Sequence, residues 1–253
     1  MRSQQAEALL LTVTDLQEAD RVVEFLTREH GKRRGAARGA KRRFSRFAGE
    51  LQPLAKARIG WFEKEGRDLV RISSVELLRA PRGLEDLEGL MIGAYLAETA
   101  ATFAQEGEPA EKLYRLLDAT IEALADGVDR ALVVRYFESW ILRLAGVFPS
   151  PELCPLCGAP LDAGAALAGG GDALVCRTCA AGEPGAIPVS AAAIAFWLRA
   201  GREGPRSMAE RPPHAATLAE VGEVTGRIRR HFLGQELRSL GVLRRTLGDA
   251  API

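Results

Sequence analysis

The sequence predicts an α+β multidomain chain: a small N-terminal β-barrel, then an all-α helical domain interrupted by a cysteine-bearing insert. Three observations predict it. Apolar residues alternate with period two across the first third of the chain and recur at helical spacing afterwards. Pro81 and Gly83 stand at the change of period. All four cysteines fall in two close pairs inside one short stretch of the helical part.

The first strand is Ala8 to Thr14 and the second about Arg21 to Thr27, with "DLQEAD" as the turn between them. The basic segment that follows has neither hydrophobic period and reads as a loop. Alternation returns in "KARIGWFEK" and "DLVRISSVELL", with "KEGRD" as a hairpin turn. Trp61 and Phe62 are adjacent on a strand and face opposite sides, so one of them belongs to the core. Four or five short strands in this length suit a five-stranded barrel of the OB type. Beyond it, "GLEDLEGLMIGAYLAETAATFAQ" sets Leu87, Leu90, Met91, Ala94, Tyr95 and Thr99 at helical spacing. "PAEKLYRLLDATIEALADG" opens with Pro109, suited to a first helical turn, and presents Leu113, Leu116, Leu117, Ile121 and Leu124 on one face. "DRALVVRYFESWILRLAGVF" is apolar around most of its surface and reads as a central helix. "SAAAIAFWLRAG" and "TLAEVGEVTGRIRRHFLGQEL" read as two more helices. The expected domains are therefore 1–82 for the barrel, 83–253 for the helical part, and 150–182 for the insert.

Net charge is only +1, but its distribution is uneven. Residues 1–83 carry 18 Lys+Arg against 11 Asp+Glu, residues 84–182 carry 6 against 15, and the remainder 10 against 7. A basic first module and an acidic middle predict different partners for different regions. No apolar run is long enough to cross a bilayer, and the N-terminus lacks a signal-peptide pattern, so the protein is expected in the cytoplasm without membrane contact. There is no phosphate-binding glycine loop followed by Lys-Ser/Thr and no H-x-E ahead of P-C-x-x-C. His30, His214 and His231 are scattered, and no catalytic constellation emerges; the chain is read as a binding protein, not an enzyme.

Cys154, Cys157, Cys176 and Cys179 form C-x2-C, eighteen residues, C-x2-C, which uses every cysteine present. Two residues between thiolates let one turn put both sulfurs on a single ion, and two such turns complete a tetrahedral Zn2+ site. Two disulfides or buried unligated thiols are the alternatives; a reducing cytoplasm opposes the first, and the use of every cysteine in this spacing opposes the second. Four thiolates leave no position for a catalytic water, so the zinc is structural. It would close a small fold that lacks its own core.

Between Glu29 and Glu50 the stretch "HGKRRGAARGAKRRFSRFAGE" holds Lys32, Arg33, Arg34, Arg38, Lys41, Arg42, Arg43 and Arg46 and no acid. A solvated loop is the plain reading. The charge density, with glycines and alanines that would let the backbone approach a phosphate chain, favours nucleic acid. Phe44 and Phe47 are candidate stacking aromatics, although Phe47 reads better as barrel packing. No base-edge code is visible, so binding is expected to be independent of sequence. A second basic cluster, Arg227, Arg229 and Arg230, is either an ordinary helix face or a further binding surface.

These segments resemble a known family. "EADRVVEFLTREHGKRRGAARGAKRRFSRFAGELQPL" is similar to the N-terminal signature of the bacterial RecO family of recombination mediators. "YFESWILRLAGVFPSPELCPLCG" resembles that family's helix leading into its cysteine module, and "HFLGQELRSLGVLRRTL" its closing segment. The glycine-lysine part is richer in arginine and alanine here. The resemblance implies an OB-fold, a helical domain and a zinc-ribbon-like insert. It implies binding of single- and double-stranded DNA, annealing of complementary strands, and help in loading RecA recombinase onto DNA coated by single-strand-binding protein. The implied partners are RecR and the acidic C-terminal tail of single-strand-binding protein, with RecA engaged indirectly at the nucleoid. Lys32 to Arg46 would contact DNA. The basic loop and cysteines alone leave two rivals: an RNA-binding OB/zinc protein, or a nuclease with structural zinc.

Overall fold

Five strands, β1 (Arg2–Asp15), β2 (Arg21–Thr27), β3 (Gly31–Ala37), β4 (Lys56–Glu63) and β5 (Leu69–Arg79), close into a barrel in the order β1-β2-β3-β5-β4. The coordinates are a computed structural model that describes residues 2–248 apart from 17, 48, 65 and 67. Parts of the "DLQEAD" and "KEGRD" turns, at Gln17, Glu65 and Arg67, lie outside the described residues. Four of the strand pairings are antiparallel; β3 and β5 pair in parallel, with Arg34 opposite Leu69 and Ala36 opposite Arg71. This is the five-stranded OB arrangement.

β1 is long because it serves two neighbours: residues 2–9 pair with β4, and 8–15 with β2. A bulge between Leu10 and Thr12 bends it between the two. Ala8 and Leu10 face the barrel core with Phe25, Ile59, Trp61 and Ile72. The Phe25 and Trp61 rings meet edge to face at 5.5 Å. Phe62 is only half-buried, as alternation required.

The basic segment is not one loop. Its first third is β3, paired with β2 along its whole length. Periodicity missed this because the inward positions carry Gly31, Gly35 and Ala37, which are small rather than recognisably apolar. The barrel requires that smallness. A Cβ on Gly35 would lie 2.6 Å from Ile72 Cγ1, and Gly31 takes φ +60° against the Glu108 carbonyl. Their role is close packing, not approach to phosphate.

Among the described residues the helices are α1 (Leu87–Phe103), α2 (Glu111–Ala125), α3 (Arg130–Leu144), α4 (Ala191–Ala200), α5 (Pro205–Ala209), α6 (Ala215–Leu233) and α7 (Arg238–Leu247). Three short strands, β6 (Ala165–Leu167), β7 (Leu174–Val175) and β8 (Ile187–Val189), form a sheet in the order β7-β6-β8. The described residues divide into two units, 2–125 with 237–247, and 126–236 with 248.

In the first unit α1 packs along β1 and α7 packs on α1. Asp86 caps α1 by accepting the Gly89 N–H at 2.7 Å. Glu98 on α1 accepts the Arg238 and Ser239 N–H groups and so caps α7. The segment expected as a single helix running past Leu233 ends there, because Gly234 takes the left-handed conformation at φ 68°.

In the second unit α3 and α6 pack together around a buried polar network. Glu138 accepts from Arg135 Nη1 at 2.5 Å, Arg229 Nη1 at 3.2 Å and Thr225 Oγ1 at 2.8 Å. Each of these four side chains is buried. Glu138, one of the acids of the middle region, is therefore a core residue of the α3–α6 pair. In the cysteine-bearing insert Leu161, Leu167, Leu174 and Val175 are buried, with Leu167 opposite Leu174 on paired strands.

Candidate nucleic-acid interface and candidate metal centre

The eight basic residues fall into two groups. Lys32, Arg33, Arg34 and Lys41 are engaged within the first unit. Lys32 Nζ donates to the Ala101 carbonyl at 2.6 Å, in the last turn of α1, where a cation suits the helix dipole. Arg33 pairs with Glu63 at 3.2 Å and Arg34 with Glu24 at 3.7 Å. Lys41 Nζ pairs with Asp15 at 2.8 Å, and that hydrogen bond holds the Asp15 carboxyl below its ordinary range. Arg38, Arg42, Arg43 and Arg46 are exposed, and among the described residues none has an ion-pair partner.

These four lie on the segment between β3 and β4, which the barrel pins at both ends. Gly39 donates its N–H to Asp20 Oδ1 at 2.8 Å, and Lys41 its N–H to the Ala19 carbonyl at 3.0 Å. Arg42 N–H then donates to the Gly39 carbonyl, Ser45 N–H to the Arg42 carbonyl, and Phe47 N–H to Ser45 Oγ. Phe47 is buried in the barrel core, and the Arg46 guanidinium lies 4.8 Å from its ring. Phe44, between Arg43 and Ser45, is 91% exposed. The result is a braced turn carrying four uncompensated cations. Such a surface attracts a polyanion, because no acid among the described residues has to be displaced first.

Two contributors escaped the sequence reading. Asp20 fixes where the turn starts; its only signal in the sequence was its place at the head of the "EADRVVEFL" stretch that resembles the RecO signature. Arg71 is exposed and stands opposite Ala36, an adjacency created by the parallel β3–β5 pairing of segments far apart in sequence.

The second basic cluster does not hold together. Arg229 is 3% exposed and bound to Glu138 and Glu236, so it is not part of any solvent-facing surface. Helical spacing put it inward, toward α3. Arg227 donates to the Gly169 carbonyl at 3.0 Å, and exposed Arg230 pairs with Glu236 at 3.4 Å.

Cys154, Cys157, Cys176 and Cys179 converge. Their sulfurs all lie within 4.8 Å of one another, and no disulfide joins them. The Cys157 and Cys176 sulfurs are 3.6 Å apart. Zn–S bonds of about 2.3 Å in a tetrahedron place sulfurs roughly 3.8 Å apart, so the donor set fits a closed four-thiolate centre. The first turn closes through Gly158, at φ 72°, whose N–H donates to the Cys154 carbonyl at 2.8 Å. Backbone N–H groups, that of Cys176 foremost, pull the Cys154 thiol down to about 6, and that of Cys179 lowers the Cys176 thiol, whereas the neighbouring Cys176 and Cys157 thiols push Cys179 up. Amides directed at sulfur favour thiolate, the form a cation binds.

Comparison with known proteins follows the same division of the chain. Residues 1–81 match the family description "Recombination protein O N terminal", and residues 84–241 match "Recombination protein O C terminal". A protein named DNA repair protein RecO from Anaeromyxobacter sp. (strain K) is 35% identical over 248 residues, covering 97% of this chain and 96% of its own length. Proteins of the same name from Desulforudis audaxviator and Geobacter metallireducens are 34% and 31% identical, covering 97% and 98% of this chain and 98% and 100% of their own lengths.

Proposed function

Because the chain belongs to the RecO family of DNA repair proteins, we propose that it is a recombination mediator that acts by binding and not by bond chemistry. In this reading it holds single- and double-stranded DNA, anneals complementary strands, and with RecR helps load RecA on DNA covered by single-strand-binding protein. The observation that carries the reading is the braced turn with Arg38, Arg42, Arg43 and Arg46 uncompensated on the barrel wall. Two strands repel each other through their phosphates. A shared positive surface lowers that repulsion and raises local concentration, and base pairing supplies the free energy. Lys32, Arg33, Arg34 and Lys41 contribute less, because each already has a partner inside the protein.

The functional modules are taken as 1–82 for DNA, 83–253 for protein partners, and 150–182 for metal. The metal is Zn2+ in a structural role, held by Cys154, Cys157, Cys176 and Cys179. The acidic tail of single-strand-binding protein is taken as a partner of the helical module. The protein works at the nucleoid in the cytoplasm; among the described residues no helix is long and apolar enough to cross a membrane.

The deciding experiment mixes the protein with labelled complementary strands, bare and coated with single-strand-binding protein, without nucleotide. Annealing of both without strand breakage is the expected result. Cleavage, or no annealing on bare strands, overturns the reading.

A further inference from the structure

We propose that Phe44 is a base-stacking residue that makes the arginine turn select unpaired over paired DNA; this rests on the DNA-binding reading above. Two independent observations meet at this side chain. Phe44 is the most exposed of the large apolar residues, at 91%, and serves no packing role that would retain it. It also sits inside the one stretch where four arginines lack an acidic partner among the described residues, with the Arg43 guanidinium 5.5 Å from its ring.

A single exposed apolar residue ordinarily needs no explanation. Position makes this one different. The anchoring that an aromatic could give the turn is already supplied three residues on by Phe47, buried in the barrel. Hydrogen bonds at Gly39, Lys41, Arg42 and Ser45 hold the backbone on the approach to Phe44. The ring is thus held out on a braced segment at little further ordering cost. A chain of phosphates laid on Arg38, Arg42, Arg43 and Arg46 brings its bases within reach of that ring.

The chemistry then separates two forms of DNA. An unpaired base has a free π-face and can stack on Phe44 whatever its identity. In a duplex the faces are covered by neighbouring bases, and only phosphates and groove edges remain. Stacking occupies the face and leaves the Watson–Crick edge open. A strand held this way remains able to pair with its complement, as annealing requires.

The test compares wild type, Phe44→Ala and Phe44→Trp, measuring binding to fluorescein-labelled oligo-dT and to a mixed-sequence duplex of equal length by anisotropy. Phe44→Ala is expected to weaken oligo-dT binding roughly 5- to 150-fold, the loss of one base–aromatic stack. Duplex binding should stay within about two-fold, because the phosphate contacts are retained. Phe44→Trp should keep oligo-dT affinity, and its emission should be quenched by oligo-dT but not by duplex, beyond any change in wild type. Equal loss on both DNAs, no loss on either, or an unquenched Trp variant overturns the proposal while leaving DNA binding intact. A wild-type protein that binds neither DNA overturns the reading beneath it.

Discussion

Replacing Arg38, Arg42, Arg43 and Arg46 together by alanine flattens the salt dependence of DNA binding, whereas replacing Lys32, Arg33, Arg34 and Lys41 leaves most of it in place. The magnitude follows from counterion release. Each phosphate neutralised contributes about −0.9 to the slope of log K against log salt on duplex and about −0.7 on single strands. If each of the four exposed arginines meets one phosphate, the slope falls in magnitude by roughly 3 to 4 on duplex. Between 50 and 200 mM salt, four such contacts account for a loss of about 100-fold in affinity, which the variant no longer shows. The paired set starts from a different reference state. Arg33 must leave Glu63, Lys41 must leave Asp15, and Lys32 must leave the carbonyl end of α1 before any gain is made. Exchange of one partner for another releases fewer ions, so this set is expected to change the slope by about 1 or less. The assay is anisotropy of a labelled oligonucleotide at several salt concentrations, for both sets of variants, with thermal melting as a control. The exposed set should melt like wild type, because exposed substitutions of this kind cost little. Equal flattening by the two sets, or no flattening by the exposed set, would refute this division of charge.

Glu138→Ala should destabilise the protein by about 3–5 kcal/mol in urea unfolding, since it removes the carboxylate that the buried Arg135 guanidinium pairs with and leaves buried Arg229 with Glu236 alone of its two carboxylates. An unchanged midpoint would show that the network contributes nothing. Gly35→Ala should cost about 1–3 kcal/mol, because the new methyl meets Ile72 and Val70; a neutral substitution would mean β3 can move outward freely. Cys154→Ser is expected to lower bound zinc, measured by mass spectrometry, and the melting temperature, with DNA affinity per folded molecule unchanged. Loss of affinity with normal folding would contradict the structural role of the metal. Burial raises the Glu50 carboxyl above the usual 4.5, so the fold favours its neutral form and is most stable, on this account, below 4.5. That contribution fades as pH rises through the shifted value, and Glu50→Gln should therefore stabilise at pH 7 and be neutral at pH 4. An equal effect at both pH values would remove titration as the cause.

The barrel, the order of the helices and the cysteine centre were legible in residue order because each rests on a local signal. Period-two alternation marked β4 and β5, helical spacing marked α1 to α3, and the C-x2-C pairs announced one convergent site. Phe47 was assignable to the barrel, and alternation required one of Trp61 and Phe62 to face the core without deciding that it is Trp61. β3 was not legible, because its inward positions are glycine and alanine, whose burial depends on the bulk of Ile72 and Val70 on another strand. Arg229 looked like surface because its partners, Glu138 and Glu236, are reached only by folding α6 onto α3 and by the turn after α6.

Local order along the chain thus established four of the barrel strands and five of the helices, how much positive charge gathers between Glu29 and Glu50, and that four thiols share one site. Tertiary structure alone decided which of the eight cations are free. Charge is a property of a residue, but its neutralisation is a property of a distance. The acids that silence Arg33, Arg34 and Lys41 come from β4, β2 and the end of β1. Asp15 and Asp20 reach the segment between β3 and β4 but engage Lys41 and the Gly39 N–H, so among the described residues its four arginines are left without a carboxylate, and Phe44 stands among them.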